Sequence, residues 1–208
     1  MTDRIHTLVV VGGRYHDEPG AREELAAAIS AYCEAELTVT DDLTVLTGLA
    51  DGDTDVVLVY TTGRELDAAQ EAALVAFVAS GHGFVGLHGA TTGFKQNAVY
   101  AEMLGARFVK HPPFADLAVS IDDPAHPITR GVDAFVVPDE LYINEGDVSR
   151  VGVLATSRLG DLTQPAAYTK PYGDGRVYYL ALGHDARCLR LESFRRLLGQ
   201  GITWAAGR

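Results

Sequence analysis

The chain has few cysteines, no long apolar run and no excess of positive charge. Cys33 and Cys188 are its only cysteines and do not form a CxxC pair, so the sequence predicts neither a disulfide framework nor a thiolate zinc site. No run approaches the roughly 18 apolar residues of a membrane-spanning helix, and residues 1–11 lack the apolar core and cleavage site of a signal peptide. These absences predict a cytoplasmic protein.

The charge balance is strongly acidic. Lys and Arg number 17 against 28 Asp and Glu, which gives a formal net charge of −11 and an isoelectric point near 4.9. Because nucleic acids and anionic membranes bind clustered Lys and Arg, the composition argues against both as partners. The 208 residues contain no linker, repeat or low-complexity segment. We therefore expect a single domain over residues 1–208.

The first half of the chain alternates between predicted strands and helices. Apolar runs predict strands over 8–11, 37–40, 55–60 and 84–87. Helical periodicity predicts helices over 21–35 and 66–80, with Gly81 as a left-handed cap after the second. Cys33 falls on the apolar face of the first helix, which favours a core thiol over a reactive one. This alternation is typical of βαβ units in a parallel sheet, so the predicted fold class is α/β.

The second half is richer in strands. Apolar patterns predict strands over 107–110, 117–121, 135–137, 151–155 and 177–182, and a closing amphipathic helix over 193–206. Residues 81–86, GHGFVG, match the letters of the GxGxxG dinucleotide motif. That motif must follow a strand and open a helix, whereas this segment ends a helix and enters a strand. We expect its glycines to form a cap and a turn.

The stretch GFVGLHGATTG, residues 83–93, has the layout of a nucleophile elbow. In such an elbow a strand runs into a sharp turn that presents a serine or cysteine. Here His88 takes that position. Three further histidines follow predicted strands, and the complete set is His16, His88, His111 and His184.

The carboxyl ends of parallel strands meet at the edge where ligands bind. We therefore expect at least two of these four imidazoles to share a pocket. His6 and His82 precede strands and His126 lies in a turn, so these three are placed outside it.

A carboxylate and a tyrosine are the other pocket candidates. Asp139 and Glu140, in the segment DELY, follow the predicted strand 135–137, where a carboxylate can orient an imidazole or act as a general acid or base. A solvated acidic turn explains the same spacing equally well. Tyr60, which ends the third strand, and Asp185, which follows His184, are weaker candidates.

Seven motifs in register along almost the whole chain resemble the ThuA-like, trehalose-utilisation family of the class I glutamine amidotransferase-like superfamily. They are GRYHD, GFVGLHGAT, FVKHP, HPITRG, DELY, GRVYYLALGHD and GITWAAG. The resemblance implies a flavodoxin-like, mostly parallel sheet flanked by helices. It also implies a pocket at His16, His88, His111, Glu140, Tyr142 and His184. The amidotransferase relatives carry a cysteine at the elbow, so the histidine here implies that glutaminase activity is absent.

The family is associated with disaccharide catabolism through 3-keto sugars, which implies a sugar-active enzyme. An imidazole suits removal of a proton next to a carbonyl at neutral pH, and this step permits isomerisation or bond cleavage. His88 is the leading catalytic base, with His184 and Glu140 as orienting or second acid–base groups. The expected substrate-binding residues are His16, His111, Tyr142 and Tyr60.

Two alternatives stay open at this point. One adds a divalent metal, zinc or manganese, that polarises a keto-diol, and no other cofactor is expected. Its candidate ligands are His88, His111, His184 and Glu140. The other is a non-catalytic carbohydrate-binding module with aromatic platforms. In each case the expected partner is a small-molecule sugar, and a homodimer is the general expectation for a soluble oligomer.

Overall fold

A computed structural model describes residues 4–13 and 20–208, which form strands and helices in alternation. The strands are β1 (Ile5–Gly13), β2 (Ala35–Thr40), β3 (Val56–Thr62), β4 (Gly83–Leu87), β5 (Arg107–Lys110), β6 (Ala115–Ile121), β7 (Phe135–Asp139), β8 (Ile143–Glu145), β9 (Gly152–Leu159), β10 (Leu162–Tyr172) and β11 (Gly175–Leu180). The helices are α1 (Ala21–Ser30), α2 (Ala68–Ala79), α3 (Ala90–Gly93), α4 (Ala98–Leu104), α5 (Ala186–Leu189) and α6 (Glu192–Ala205). Short 3₁₀ helices cover Leu43–Asp51 and Val148–Arg150.

The main sheet is parallel in one half and antiparallel in the other. Within the described residues it has nine strands in the order β2-β1-β3-β4-β11-β10-β9-β6-β7. The first five strands in this order, β2, β1, β3, β4 and β11, run parallel to one another. Each of the remaining four, β10, β9, β6 and β7, is antiparallel to the strand before it in this order. After four reversals of direction, β7 runs the same way as β11. The carboxyl end of β7 therefore points to the same side of the sheet as the ends of β3, β4 and β11.

Burial on both faces explains the continuous apolar strands. In β1, Val9 and Val11 contribute to a core cluster that includes residues of α1 and α6. The alternate residues Leu8 and Val10 contribute to a second cluster with residues of α2, α4 and the first 3₁₀ helix. Because successive strand residues face opposite sides, both faces of the sheet need apolar side chains. This arrangement confirms the predicted α/β class.

The boundaries of α2 confirm the predicted cap. Asp67 accepts hydrogen bonds from the backbone of Ala69 and Gln70, and its own backbone N–H donates to the Gln70 side chain, which forms a capping box. Just after the helix, Gly81 has a left-handed φ of 117°. The GHGFVG segment thus leaves a helix and enters β4, which is the reverse of a dinucleotide-binding turn.

Several elements differ from the sequence-based expectation, and the short elements α3, α4, α5 and β8 were not predicted. Helix α1 ends at Ser30 instead of residue 35, although Cys33 is still buried in the core. Strand β10, between β9 and β11, was not predicted, because Pro165 and Pro171 lack N–H donors and interrupt the strand pattern. Register shifts beside Pro165 accommodate that proline. Strand β5 lies in a separate two-stranded sheet with β8.

Over the part of the chain that the structure describes, no helix is both long enough and apolar enough to span a membrane.

Helix α6 packs closely on β11. The apolar face predicted for the closing helix is buried, including Phe194, Leu197 and Ile202. A Cβ atom on Gly201 would lie only 2.2 Å from Cε1 of Tyr178. Glycine therefore allows the helix backbone to lie against the tyrosine ring.

Replacing Gly201 with alanine is expected to lower the free energy of unfolding. Overpacking a core costs about 1–3 kcal/mol, and an overlap this severe lies toward the upper end of that range. Alanine recovers up to about 1 kcal/mol through its higher helix propensity, so we expect a net loss of about 1–2 kcal/mol in urea unfolding. Gly48→Ala is the matched control, because its Cβ meets no atom within 4 Å. Equal unfolding midpoints for the two variants would contradict the packing explanation.

Candidate active site

A cavity of about 480 Å³ lies at the carboxyl edge of the sheet. Four of the predicted site residues line it: His111, Glu140, Tyr142 and His184. The other lining residues were not predicted, and they are Thr62, Gly63, Thr92, Lys95 and Phe108. Their segments follow β3, surround α3 or belong to β5, so only the folded chain brings them to this edge.

His88 occupies a strained elbow directly after β4. Among the described residues it is the one non-glycine with a positive φ, 39°, a conformation that costs an L-residue about 1–2 kcal/mol. Its backbone N–H donates to the carbonyl of Leu180 at 2.7 Å, and its carbonyl accepts from the hydroxyl of Tyr179 at 2.9 Å. Strand β11 thus holds the elbow in place. The His88 side chain is completely buried and does not line the cavity.

The protonation of the His88 ring follows from its hydrogen bond. Nδ1 lies 2.7 Å from the carbonyl oxygen of Ala181, and a carbonyl only accepts, so Nδ1 carries a hydrogen. In the neutral ring Nε2 is then the basic nitrogen. It lies 3.7 Å from Oε2 of Glu140. The ring of Tyr142 covers the imidazole at a centroid distance of 4.0 Å.

Glu140 stands at the centre of the site, within reach of three imidazoles. Its Oε2 lies 3.2 Å from Nδ1 of His184, and its Oε1 lies 3.5 Å from Nδ1 of His111. Burial raises the pKa of Glu140, but the close contact with His184 and the nearby His88 imidazole outweigh burial and hold the pKa well below its usual range. The hydrogen bond to Glu140 raises the pKa of His184, against an opposing effect of burial. Each group therefore favours the charged form of the other.

Asp139, adjacent to Glu140, is completely buried. Its carboxylate accepts hydrogen bonds from the backbone N–H groups of Gly183 at 2.7 Å, Glu140 at 2.7 Å and His184 at 3.2 Å. These contacts connect the end of β7 to the loop after β11, although three strands separate β7 from β11 in the sheet. The antiparallel half therefore curls back toward the parallel half. The spacing of residues 139 and 140 gave no means of telling which carboxylate faces the cavity.

His111 and Tyr142 form the outer wall of the site. The His111 side chain is 37% exposed, and its Nδ1 donates to the carbonyl of Pro112 at 2.8 Å. Burial raises the pKa of Tyr142, so its hydroxyl stays protonated. The ring of Phe108 lies 4.6 Å from that of Tyr142. Together these side chains give the cavity one largely aromatic wall.

Other predicted residues lie outside the cavity wall. Tyr60 is buried, and its hydroxyl donates to the carbonyl of Gly183 at 2.6 Å, so it supports the loop after β11 from below. Asp185 caps α5 and pairs with Arg187. His16 falls outside the described residues.

The three histidines placed outside the pocket are absent from its wall. His6 pairs with Asp53 at 2.8 Å, and His82 stacks on Phe77. His126 packs near Trp204, with ring centroids 5.6 Å apart. The strand-end rule therefore sorted these histidines correctly by position.

Three side chains of the site have the donor types and closeness that a metal ion requires. One ligand atom each from His88, Glu140 and His184 lies within 4.8 Å of the other two. Two imidazole nitrogens and a carboxylate oxygen suit zinc or manganese, and the hydrogen bond from His88 Nδ1 to Ala181 is typical of a metal-bound histidine. His111, also a candidate ligand from the sequence, is not part of this group.

Solved structures of low sequence identity share this fold. A ThuA-like protein from Parabacteroides merdae superposes with a TM-score of 0.84 at 18% identity, over 98% of this chain and 90% of that protein. A ThuA-like protein from Bacteroides uniformis gives 0.77 at 19% identity, over 97% and 91%. A GMP synthase protein from Thermoplasma acidophilum gives 0.62 at 15% identity, over 100% and 96%. These structures confirm the predicted amidotransferase-like fold.

Sequence comparison identifies the family. No curated protein is significantly similar to the chain. The family model for ThuA, described as trehalose utilisation, matches residues 6–205. This range includes six of the seven motifs, the first five residues of GITWAAG and every predicted site residue. The chain belongs to the ThuA, trehalose-utilisation family.

Proposed function

We propose that this protein is a sugar-active enzyme of disaccharide catabolism that acts on a keto sugar by acid–base chemistry. This proposal rests on the position of Glu140, a carboxylate in the cavity wall that has three imidazoles close to it. Such a group passes a proton from a bound molecule to the basic nitrogen of His88 behind it, while the neighbouring His184 imidazole donates one. The family description, trehalose utilisation, supports a sugar as the substrate.

The lining of the cavity suits a sugar. Its volume falls within the roughly 300–1,000 Å³ of small-molecule sites. Tyr142 and Phe108 offer aromatic faces for the C–H face of a sugar ring, and Thr62, Thr92 and Lys95 supply polar groups. Aromatic area with a few placed polar groups is the usual composition of such a pocket.

The first chemical step is proton removal from the carbon beside the ketone. Glu140 accepts this proton, and the basic Nε2 of His88, 3.7 Å behind it, takes the proton on. His88 is thus the final acceptor of the proton, and Glu140 carries the proton to it, because the His88 ring does not reach the cavity. The resulting enediolate has two outcomes. It regains a proton on the neighbouring carbon in isomerisation, or it expels the glycosidic oxygen, which takes a proton from His184, in cleavage.

Both outcomes begin with the same proton transfer, which makes a test independent of the final product. With 3-keto-trehalose in D₂O, the wild-type protein is expected to accelerate exchange of the C2 proton above the enzyme-free rate, as followed by ¹H NMR. Glu140→Gln and His88→Ala are expected to lose about 10²–10⁴-fold of this acceleration, the usual contribution of a general base. His82→Ala, at the opposite end of β4, is the control and retains exchange.

Two results would contradict the proposal in different ways. A His88→Ala protein that is folded and exchanges at the wild-type rate removes His88 from the mechanism. A wild-type protein that binds 3-keto-trehalose without accelerating exchange favours the carbohydrate-binding module instead.

The ion pair between Glu140 and His184 predicts a pH dependence. Glu140 raises the pKa of His184 above the ordinary histidine value of 6.5, so the imidazolium persists at pH values above 6.5. It is lost as the pH rises through the raised pKa. We expect the His184 ring signals to titrate above pH 6.5 in the wild type and at lower pH in Glu140→Gln. His126, whose pKa is lowered by burial, is the internal control and titrates identically in both. An unchanged His184 midpoint would refute the pairing.

A second candidate, favoured by the closeness of His88, Glu140 and His184, is a metal-assisted form of the same enzyme. A divalent ion bound there would polarise the oxygens of a keto-diol. In that form His88, Glu140 and His184 would hold the ion, and His111 is the imidazole left to exchange protons at the cavity wall.

The metal-assisted form makes a quantitative prediction. Elemental analysis of the untagged protein is expected to show nearly equimolar zinc or manganese, lost in His88→Ala and His184→Ala. His111→Ala is the matched control and keeps the metal, because His111 is outside the group. Metal-free wild-type protein that still exchanges the C2 proton would rule this form out and leave the imidazole–carboxylate mechanism.

A further inference from the structure

Asp139 is an unusual carboxylate for a group that does not face the cavity. Among the described residues it is the one acidic side chain that is completely buried. Acidic side chains are almost never fully buried unless hydrogen bonds or opposite charges compensate the lost hydration. The compensating groups therefore show which part of the molecule depends on Asp139.

The hydrogen-bond donors to Asp139 belong to the site itself. Oδ1 accepts from the backbone N–H of Glu140 at 2.7 Å and of His184 at 3.2 Å, and Oδ2 accepts from Gly183 at 2.7 Å. Two of these three residues provide the carboxylate and the imidazolium of the cavity wall. One carboxylate thus fixes the backbone of both groups, which lie far apart in the sequence.

Asp139 also lies beside His88. Its Oδ1 is 3.9 Å from Nδ1 of His88, and both side chains are completely buried. A proton accepted at Nε2 makes the His88 ring positive, and a positive ring inside the protein needs a nearby negative charge. Asp139 is on the Nδ1 side of the ring, opposite Glu140, and is shielded from water. Burial and then the neighbouring Asp139 carboxylate raise the pKa of the Cys188 thiol.

We infer that Asp139 is a positioning residue: it holds Glu140 and His184 in one geometry and supplies the negative charge behind His88. Its effect on turnover rests on the proposed function, whereas its effect on the backbone and the imidazoles does not. Contact with the backbone of both Glu140 and His184 distinguishes this role from stabilisation of the fold alone.

Asp139→Asn is the direct test. Asparagine has the same shape but one acceptor oxygen, and its NH₂ group opposes the backbone donors. With 3-keto-trehalose we expect kcat for C2 exchange to fall about 100-fold or more while KM changes little, because Phe108 and Tyr142 are untouched. The imidazole signals of His88 and His184 are expected to shift in the ¹H–¹⁵N spectrum while signals of distant residues stay in place.

Asp67→Asn is the matched control. Its carboxylate also accepts backbone hydrogen bonds, from Ala69 and Gln70, but it caps α2 away from the site. We expect unchanged kcat and unchanged imidazole signals in this variant. An Asp139→Asn protein that loses thermal stability but retains wild-type kcat and imidazole signals in its folded fraction would reduce Asp139 to a structural role and overturn the inference.

Hydrogen exchange in the wild-type protein keeps the inference testable even where Asp139→Asn does not fold. The backbone N–H groups of Gly183 and His184 are expected to exchange only with global unfolding, because Asp139 accepts from both. Rapid exchange at these positions would overturn the positioning role. If the wild-type protein does not turn over the keto sugar, the proposed function is wrong. The positioning role of Asp139 is then tested by hydrogen exchange and by the imidazole signals.

Discussion

The hydrogen bonds from the backbone of residues 183 and 184 to the buried Asp139 carboxylate join the two halves of the sheet. In the order of the sheet, three strands lie between β7 and β11. The four reversals of direction between these strands bring both carboxyl ends to one side, and the curl of the antiparallel half brings them into contact. Glu140 and His184 meet only because both conditions are satisfied.

Much of this arrangement could be predicted from strand ends. A parallel sheet gathers whatever follows its strands, so His88 and His184 could be assigned to one edge from their positions alone. His111 lies at the same site although β5 belongs to the separate two-stranded sheet. The placement of His6 and His82 away from that edge was likewise predictable, because both precede their strands. The family resemblance added Glu140 and Tyr142, and the structure brings both into the same site.

The remaining features depend on contacts between distant segments, which a local pattern does not encode. Nothing in the spacing of Asp139 and Glu140 shows which carboxylate turns inward, because that depends on the amide groups of the loop after β11. Tyr60 ends a strand at the correct edge, yet its hydroxyl is bound by Gly183. Strand β10 was missed because its prolines contradict the usual strand pattern, and the irregular register beside Pro165 compensates for the disruption there.

The elbow after β4 has a different use here from the one its layout suggested. A nucleophile elbow presents its side chain to the substrate, whereas His88 lies beneath Tyr142 and behind Glu140. The strained backbone is retained, but the imidazole supports the group in front of it. The same turn therefore places a supporting residue behind the site instead of presenting a side chain to the substrate.

The division of the cavity wall among different segments has a consequence for how such a protein diversifies. The groups of the proposed proton transfer come from the ends of β4, β7 and β11. Thr62, Thr92, Lys95 and Phe108 come from the end of β3, from α3 and the segment after it, and from β5, and none of these side chains is hydrogen-bonded to Asp139. Under the proposed function, substitution of these side chains changes the substrate preference without changing the groups that Asp139 positions.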